Sequence, residues 1–408
     1  MEVRGTENRG TTVSSARISR WARRFLLVSA GWLVSSQVAA LAGAPRRVEF
    51  VLGLYGFVLT TVFGKAYSLI PSYFDRSLAW SGAPAAQWPL TTGGVGALAL
   101  AAFPGTPPWL RTVGVFAWVA GGAVFLGTML VTVGDNLTGE ETGTGDANAD
   151  RRGLDRLATA AVPVTFLYLV AGSVELLASA LDFPSPFGGL PVRISHLLAA
   201  GVALLVLFGI GYRLLPRFLV VHPSRRLAAI VLPFGAVGPA LLAWGYPSGP
   251  VFRAGAVLES VAVVGFAVAY LRMVVRTDRE RVGLYSVAVA VCFGCLGAGL
   301  GAYFAFAGSD PGLALVHRHV NVFGLLGLSI VGAVYQFYPP AVCPWPGGTD
   351  RTALVTIALV GAGLLGVTLS PFGLPAARDA GHALVLAGTV GYSYILFGTV
   401  TYHSSTRR

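Results

Sequence analysis

The sequence predicts an all-α fold, a polytopic integral membrane bundle of about twelve transmembrane helices. Of the 408 residues, 54% are hydrophobic and only 12% are charged, whereas soluble proteins average about 25% charged residues. Apolar runs of about twenty residues, the length needed to cross the hydrocarbon layer of a bilayer, recur along the chain. One motif also occurs three times, each time within such a run, and this predicts a bundle built from repeated units.

Twelve apolar runs account for the predicted transmembrane helices. They extend over residues 22–43, 48–71, 88–104, 109–133, 156–180, 194–216, 226–246, 252–275, 282–307, 314–339, 352–371 and 379–402. The whole chain, 1–408, is therefore predicted to be a single membrane domain. It begins with a basic cytoplasmic tail at residues 1–20, and an acidic cytoplasmic loop at 134–155 separates the spans at about 22–133 from those at about 156–402.

The distribution of basic residues predicts the orientation of these spans. An even number of spans places both termini on one side, and 22 of the 29 arginine and lysine residues fall on or near that side. Because positive residues concentrate in cytoplasmic loops, we expect cytoplasmic N- and C-termini in a multi-pass protein of the cell (plasma) membrane. The net charge of +11 is explained by this topology, so the expected partner is the lipid bilayer and not nucleic acid.

The repeated motif occupies residues 51–71, 195–216 and 318–339, which are spans two, six and ten. This period of four helices predicts three four-helix units of the same orientation in a pseudo-threefold arrangement. On a helix that turns about 100° per residue, the shared glycines and tyrosine form one stripe suited to close helix packing, and the first shared column faces nearly the opposite way. The aligned columns are Val51/His196/His319, Gly56/Gly201/Gly324, Gly64/Gly209/Gly332, Tyr67/Tyr212/Tyr335 and Pro71/Pro216/Pro339.

Four of the six histidines are the candidate cofactor ligands, because they lie near the predicted outer ends of even-numbered spans. They are His196, His317, His319 and His382. A neutral imidazole nitrogen ligates haem iron or copper, so His196, His317 and His319 are also candidate metal ligands. His317 and His319 are two residues apart and are expected on opposite helix faces, each able to reach a different cofactor. The alternative is that all four are ordinary residues of the membrane interface.

Four further charged residues are candidates for function. Arg318 and Arg378 neighbour the histidines and are candidate partners for haem propionates, with simple anchoring at the interface as the alternative. Glu175 and Glu259 lie within predicted spans, where a carboxylate is costly and often belongs to a proton or ion path. The alternative for both glutamates is a protonated, hydrogen-bonded side chain with a purely structural role.

The run His317–Pro339, which begins His-Arg-His-Val-Asn-Val and has a glycine-rich middle and a closing proline, resembles the tenth helix of subunit I of haem-copper oxidases and related nitric oxide reductases. Twelve spans arranged as three arcs of four helices are also typical of that family. The resemblance implies that His317 ligates a high-spin haem and His319 a low-spin haem, with His196 near the copper-ligand helix of the family. The helix headed by His382 is similar to the histidine-headed helices of the NnrS family in the same superfamily.

The chain also departs from the family's ligand pattern. The family has a second axial histidine on span two, where this chain has Glu49 and Val51, and the predicted span 226–246 contains no histidine. The resemblance therefore implies a haem-binding membrane protein, with copper as a further expected cofactor, that transfers electrons or binds nitric oxide or oxygen without a complete binuclear centre. An oxidoreductase working with other respiratory subunits or an electron donor is the enzymatic form of this hypothesis. Its alternatives are a proton-coupled secondary transporter and a cofactor-free membrane subunit.

Overall fold

The computed structural model describes the backbone of residues 3–405 and the side chains of residues 15–402, so the predicted cytoplasmic Arg407 and Arg408 lie outside the described residues. Within that range the chain is all-α, without strands. Twelve long helices follow one another: α1 Val3–Leu41, α2 Arg46–Tyr73, α3 Ala83–Leu100, α4 Pro108–Val133, α5 Arg152–Leu181, α6 Pro191–Leu219, α7 Arg225–Gly245, α8 Pro250–Arg276, α9 Val282–Ala307, α10 Pro311–Phe337, α11 Asp350–Leu369 and α12 Pro375–Ser405.

Eleven of these helices are long and apolar enough to cross a membrane, so the prediction of an all-α, multi-pass membrane bundle is confirmed. The exception is α3, which is 18 residues long and contains Gln87 and Pro89. Helix α1 begins at Val3, so residues 3–20 of the predicted basic tail are helical. Five even-numbered helices, α4, α6, α8, α10 and α12, begin with proline, which is favoured at the first helical position because its missing N–H is not needed there.

The threefold motif is visible in the backbone as well as in the sequence. Helices α2, α6 and α10 each contain a π-helical stretch, at Val51–Leu59, His196–Leu204 and Val320–Gly327 respectively. Each stretch begins at the first column of the motif or one residue after it. Long π-helical stretches are rare and usually mark functional sites. Three of them in one register therefore mark a shared feature of the repeated unit.

The motif glycines fix how each repeat helix packs on the helix before it. Gly56 contacts Trp32 of α1, Gly201 contacts Tyr168 of α5, and Gly324 contacts Phe293 of α9. At all three positions a Cβ atom would lie closer than 3.0 Å to the aromatic side chain. Only glycine lets an aromatic ring approach a membrane helix so closely, which agrees with the predicted packing stripe.

Helices α2, α6 and α10 form the centre of the bundle and touch one another through their π-helical stretches. They are also its most buried spans, with 83, 61 and 78% of their apolar windows inside the protein, compared with at most 56% for the others. The remaining helices surround them as a ring in which α1 packs on α12, α4 on α5, and α8 on α9. Because the three central helices begin on the same side, their first turns and those of α12 share one face of the bundle. We call this the outer face, after the orientation that the charges predict.

On the opposite face, the acidic loop at 134–155 is held against the bundle. Arg76 pairs with Asp135 at 2.9 Å and also with Glu141. The hydrogen bond with the Asp135 carboxylate raises the pKa of Arg76 above its ordinary value. Asp155 is 1% exposed and accepts from Arg217 at 2.6 Å, and Arg213 donates to the carbonyl of Tyr73 at 2.8 Å. These contacts connect the first four-helix unit with the second.

Candidate metal centre

Three potential metal ligands converge near the outer face, within the bundle. They are Glu49 in the first turn of α2, His319 at the start of the π-helical stretch of α10, and His382 two turns into α12. Each offers one ligand atom, and these atoms all lie within 4.8 Å of one another. All three side chains belong to buried residues, with 8, 3 and 5% exposure respectively. The cluster therefore joins two motif helices and the last span.

His319 is oriented by its own helix. Its Nδ1 donates to the carbonyl oxygen of Leu315 at 2.8 Å, and its Nε2 lies 2.6 Å from Oε1 of Glu49. Because a carbonyl oxygen can only accept, Nδ1 carries a proton, and Nε2 is the nitrogen whose lone pair is available in the neutral ring. In the protein alone, one proton shared between Nε2 and Glu49 satisfies this contact. A bound cation would replace that proton and draw on both donor atoms.

His382 is the third member of the cluster, and its Nδ1 makes no hydrogen bond to a described residue. Its ring centroid lies 5.2 Å from that of His319, in an edge-on arrangement. The Nδ1 atom is buried and has no hydrogen-bond partner among the described residues. Leaving a buried polar atom unsatisfied costs about 1–3 kcal/mol, so such atoms in native proteins call for an explanation. A ligand bound between the three side chains would provide one.

The surroundings of the cluster are apolar on one side and basic on the other. Phe323 packs one turn after His319, with the two rings 5.8 Å apart. Further along α10, a narrow cavity extends between α1, α2, α10, α11 and α12, with Val385 and Tyr392 among its lining residues. Arg318 lies 5.9 Å from the Phe50 ring and interacts electrostatically with Glu49. Arg378, by contrast, is half exposed and pairs with Asp379 at 3.4 Å.

The donor set is suited to a transition-metal ion. Two imidazole nitrogens and one carboxylate oxygen match sites of zinc or non-haem iron that keep open coordination positions, whereas calcium and magnesium prefer oxygen ligands throughout. The carbonyl of Leu315 is the kind of outer-shell acceptor that commonly fixes a ligating histidine. The arrangement can therefore hold one ion and leave coordination sites for water or a small gas.

His317 lies on the other side of α10, as the sequence predicted. Its Nδ1 hydrogen-bonds the carbonyl oxygen of Gly297 in α9 at 3.0 Å, and its ring packs 5.6 Å from that of Phe304. Asn321 donates to the backbone carbonyl of His317 at 2.7 Å. His196 interacts with His317 electrostatically, and its Nδ1 hydrogen-bonds Val192 one turn earlier in α6. Of the four candidate histidines, only His319 and His382 share a cluster with a carboxylate among the described residues.

The two predicted intramembrane carboxylates have different surroundings. Glu175 accepts hydrogen bonds from the backbone N–H groups of Phe187 and Gly189 and from the Ser185 hydroxyl, at 2.7–3.0 Å. These contacts shape the turn before α6 and supply a structural role for Glu175. Glu259 packs against Gly238 of α7, and neither of its buried carboxylate oxygens has a partner among the described residues.

Sequence reasoning missed Glu49 as a candidate ligand. The signal was available, because Glu49 stands at the outer start of the span on which the oxidase resemblance implies a histidine. A carboxylate there can replace the missing imidazole as a metal ligand. The sequence could not predict where α12 lies in the bundle. Its His382 comes 63 residues after His319 and meets it only through tertiary packing.

The residues present fit a single ion better than a haem. Iron in a haem would need the Nε2 atom of His319, which faces Glu49 at 2.6 Å, and the second imidazole that the resemblance implies on α2 is absent. The three donors also lie close enough together for one ion to reach them all. The chain matches no protein-family model and no curated protein.

Proposed function

We propose that this chain is a membrane metalloprotein that holds one transition-metal ion between Glu49, His319 and His382. The observation that carries the proposal is the compact, buried cluster of two imidazoles and one carboxylate near one face of the bundle. The unsatisfied Nδ1 of His382 supports it, because a bound ion would give this ring a partner.

The proposed activity is electron transfer or binding of nitric oxide or oxygen. A redox-active ion such as copper or iron, held by two imidazoles and a carboxylate, keeps open positions at which a small neutral gas can bind. The apolar cavity next to Phe323 offers such a gas a path with no charged lining residue. As an oxidoreductase, the protein would receive electrons at its outer face from a separate donor or a respiratory subunit.

The direct test is metal analysis together with an ultraviolet–visible spectrum of the purified protein. We expect about one equivalent of copper, iron or zinc per chain and no absorption band typical of haem. Reloading the metal-stripped protein with each ion in turn identifies the preferred one. Protein that takes up no ion from any of these solutions, after expression in metal-rich medium, would refute the proposal.

A haem-binding protein related to the oxidases is the second candidate. The observation that favours it is the apolar lining that begins at Phe323 and Val385, about one helical turn beyond His319 and His382. Holding a haem would require Glu49 to move away from His319, so that Nε2 could serve as a ligand of the haem iron. An intense haem absorption band in the same spectrum, lost in His319→Ala, would favour this candidate over the single ion.

Glu259 favours a third candidate, a proton-coupled secondary transporter. Its buried carboxylate has no partner among the described residues, which is a costly arrangement for an ionised group inside a membrane. Uptake into proteoliposomes driven by a proton gradient, abolished by Glu259→Gln and unaffected by His382→Ala, would support transport. A cofactor-free subunit remains the outcome if none of the histidine substitutions changes metal content or spectrum.

A further inference from the structure

A second cavity lies where the three motif helices meet, on the side of the bundle away from the metal centre. The space inside it, counted with its open side, is about 800 Å³, and α2, α6 and α10 provide nearly all of its walls. Along α2 it extends from Val58 to Leu69, and along α10 from Leu326 to Phe337. Eleven residues of helix span roughly 16 Å, so the cavity is an elongated slot parallel to the helix axes.

The slot contains one charged side chain, Lys65, which is the only lysine of the protein. Its Nζ lies 3.7 Å from the ring centroid of Phe337 and 5.5 Å from that of Tyr338. Among the described side chains, no carboxylate lies within 4.0 Å of Nζ. Its ammonium charge therefore has no counter-ion among the described side chains. The two aromatic faces stabilise that charge only in part.

A second polar group in the slot is also unsatisfied. The hydroxyl of Ser329, on α10, is buried and has no hydrogen-bond partner among the described residues. It lies two helical turns before Phe337, which places it along the slot and away from Lys65. The other lining residues are almost all aliphatic.

We propose that this slot binds a single-chain anionic lipid of the fatty-acid type, with the carboxylate at Lys65 and the acyl chain between α2, α6 and α10. One ammonium group balances one carboxylate, whereas a phosphate monoester, with its second charge, would find no further cation among the described lining residues. The aliphatic walls match an acyl chain, and the length of the slot matches a chain and not a compact ligand. This site is separate from the metal centre.

The presence of a single lysine permits a direct test by NMR. Protein that carries ¹³C at the lysine side chain, purified in an uncharged maltoside detergent, should give one lysine side-chain signal. Adding palmitate should shift this signal saturably at a stoichiometry of about one per chain. The methyl ester of palmitate, which has the same chain and no charge, should bind about tenfold or more weakly.

Substitutions at Lys65 and Ala333 distinguish the effect of the lysine charge on binding from the effect of the shape of the slot. Lys65→Met should weaken binding of radiolabelled palmitate about tenfold or more, and Lys65→Arg should retain it. Ala333→Leu, which narrows the slot and leaves the charge, should also reduce binding. Metal content should be unchanged in all three variants, which keeps this test independent of the proposed metal centre.

Equal affinity for palmitate and its methyl ester, or unchanged binding by a folded Lys65→Met variant, would overturn the proposal. So would tight binding of a neutral quinone or a phospholipid with no response to palmitate. The melting temperature of each variant shows whether it is folded, and the NMR titration of the unmodified sequence tests the proposal even if a variant does not fold.

Discussion

At the scale of single residues, Glu49 decides how the candidate site is understood. Sequence comparison with the oxidase pattern registers only that a histidine is missing on the second span. In the structure, a carboxylate enters from that span and meets Nε2 of His319 at 2.6 Å. The donor set of the cluster is therefore two imidazoles and one carboxylate. This donor set is the reason for preferring a single ion over a haem.

The histidines can be tested by alanine substitution. His382→Ala removes one of three ligands, so we expect metal affinity to fall by at least about tenfold, as measured by competition with a chelating dye. His196→Ala is the matched control, because His196 also lies in the first turns of its helix near the outer face and is outside the cluster. Equal losses in the two variants would argue against the assigned ligands.

Glu49 makes a second prediction at this scale. Glu49→Gln keeps the shape of the side chain and removes its charge, so a bound divalent ion should be held at least about tenfold more weakly. Glu49→His supplies a nitrogen ligand instead and should restore binding relative to Glu49→Gln. Isothermal titration of the metal-stripped proteins measures both effects, and identical affinities for all three chains would exclude Glu49 as a ligand.

At the scale of elements, the motif explains the three central helices. Its glycines place α2, α6 and α10 against α1, α5 and α9, and its first column marks the start of a π-helical stretch. A π-helical turn shifts the side chains that follow it relative to an α-helix, which changes what they face. The sequence analysis, based on a uniform turn of about 100° per residue, predicted the packing stripe correctly. It did not predict the π-helical stretches, because it assumed that uniform turn along the whole helix.

One motif glycine provides a test of this packing. A Cβ atom at Gly332 would lie 2.5 Å from the carbonyl oxygen of Gly283, so Gly332→Ala must move one backbone against another. We expect a loss of about 1–3 kcal/mol in stability. Gly299→Ala in α9 is the control, since no atom lies within 4 Å of the new methyl group there and alanine favours helix.

Thermal unfolding in detergent compares the two glycine variants. Gly332→Ala should melt at a lower temperature than the unmodified protein, and Gly299→Ala at an equal or higher one. The opposite order would show that the motif glycines do not determine how the central helices pack.

At the scale of the whole molecule, buried charge connects the first two four-helix units. Asp155 in α5 accepts hydrogen bonds from Arg217 of α6 and from Thr144 of the acidic loop, each at 2.6 Å. Arg213 of α6 donates to a backbone carbonyl of α2. Asp155→Asn leaves two arginines without a counter-ion, one of them buried, and should destabilise the protein by about 3–5 kcal/mol.

The matched control for Asp155 is Asp146→Asn. Asp146 pairs with Arg152 at 3.3 Å on the surface, and exposed pairs contribute about 0–1 kcal/mol. A small effect of Asp155→Asn, no larger than that of Asp146→Asn, would contradict a connecting role for the buried network. Chemical unfolding of both variants in the same detergent measures the difference.

The sequence predicted most of the architecture and only part of the candidate site. Long apolar runs and the threefold motif are local signals, so the helices and the fourfold period followed from them, with α3 the weakest by composition. The opposite faces of His317 and His319 also followed, because helix geometry is local. The meeting of Glu49, His319 and His382 depends on how three distant helices pack, and no local pattern contains that information.

The measurement that tests the central claim most directly is X-ray absorption spectroscopy at the edge of the metal that copurifies with the protein. The account predicts one ion per chain bound by nitrogen and oxygen only, with scattering from two imidazole rings that falls to one ring in His382→Ala. A spectrum that shows porphyrin nitrogens or sulfur ligands, or one that His382→Ala leaves unchanged, would contradict it.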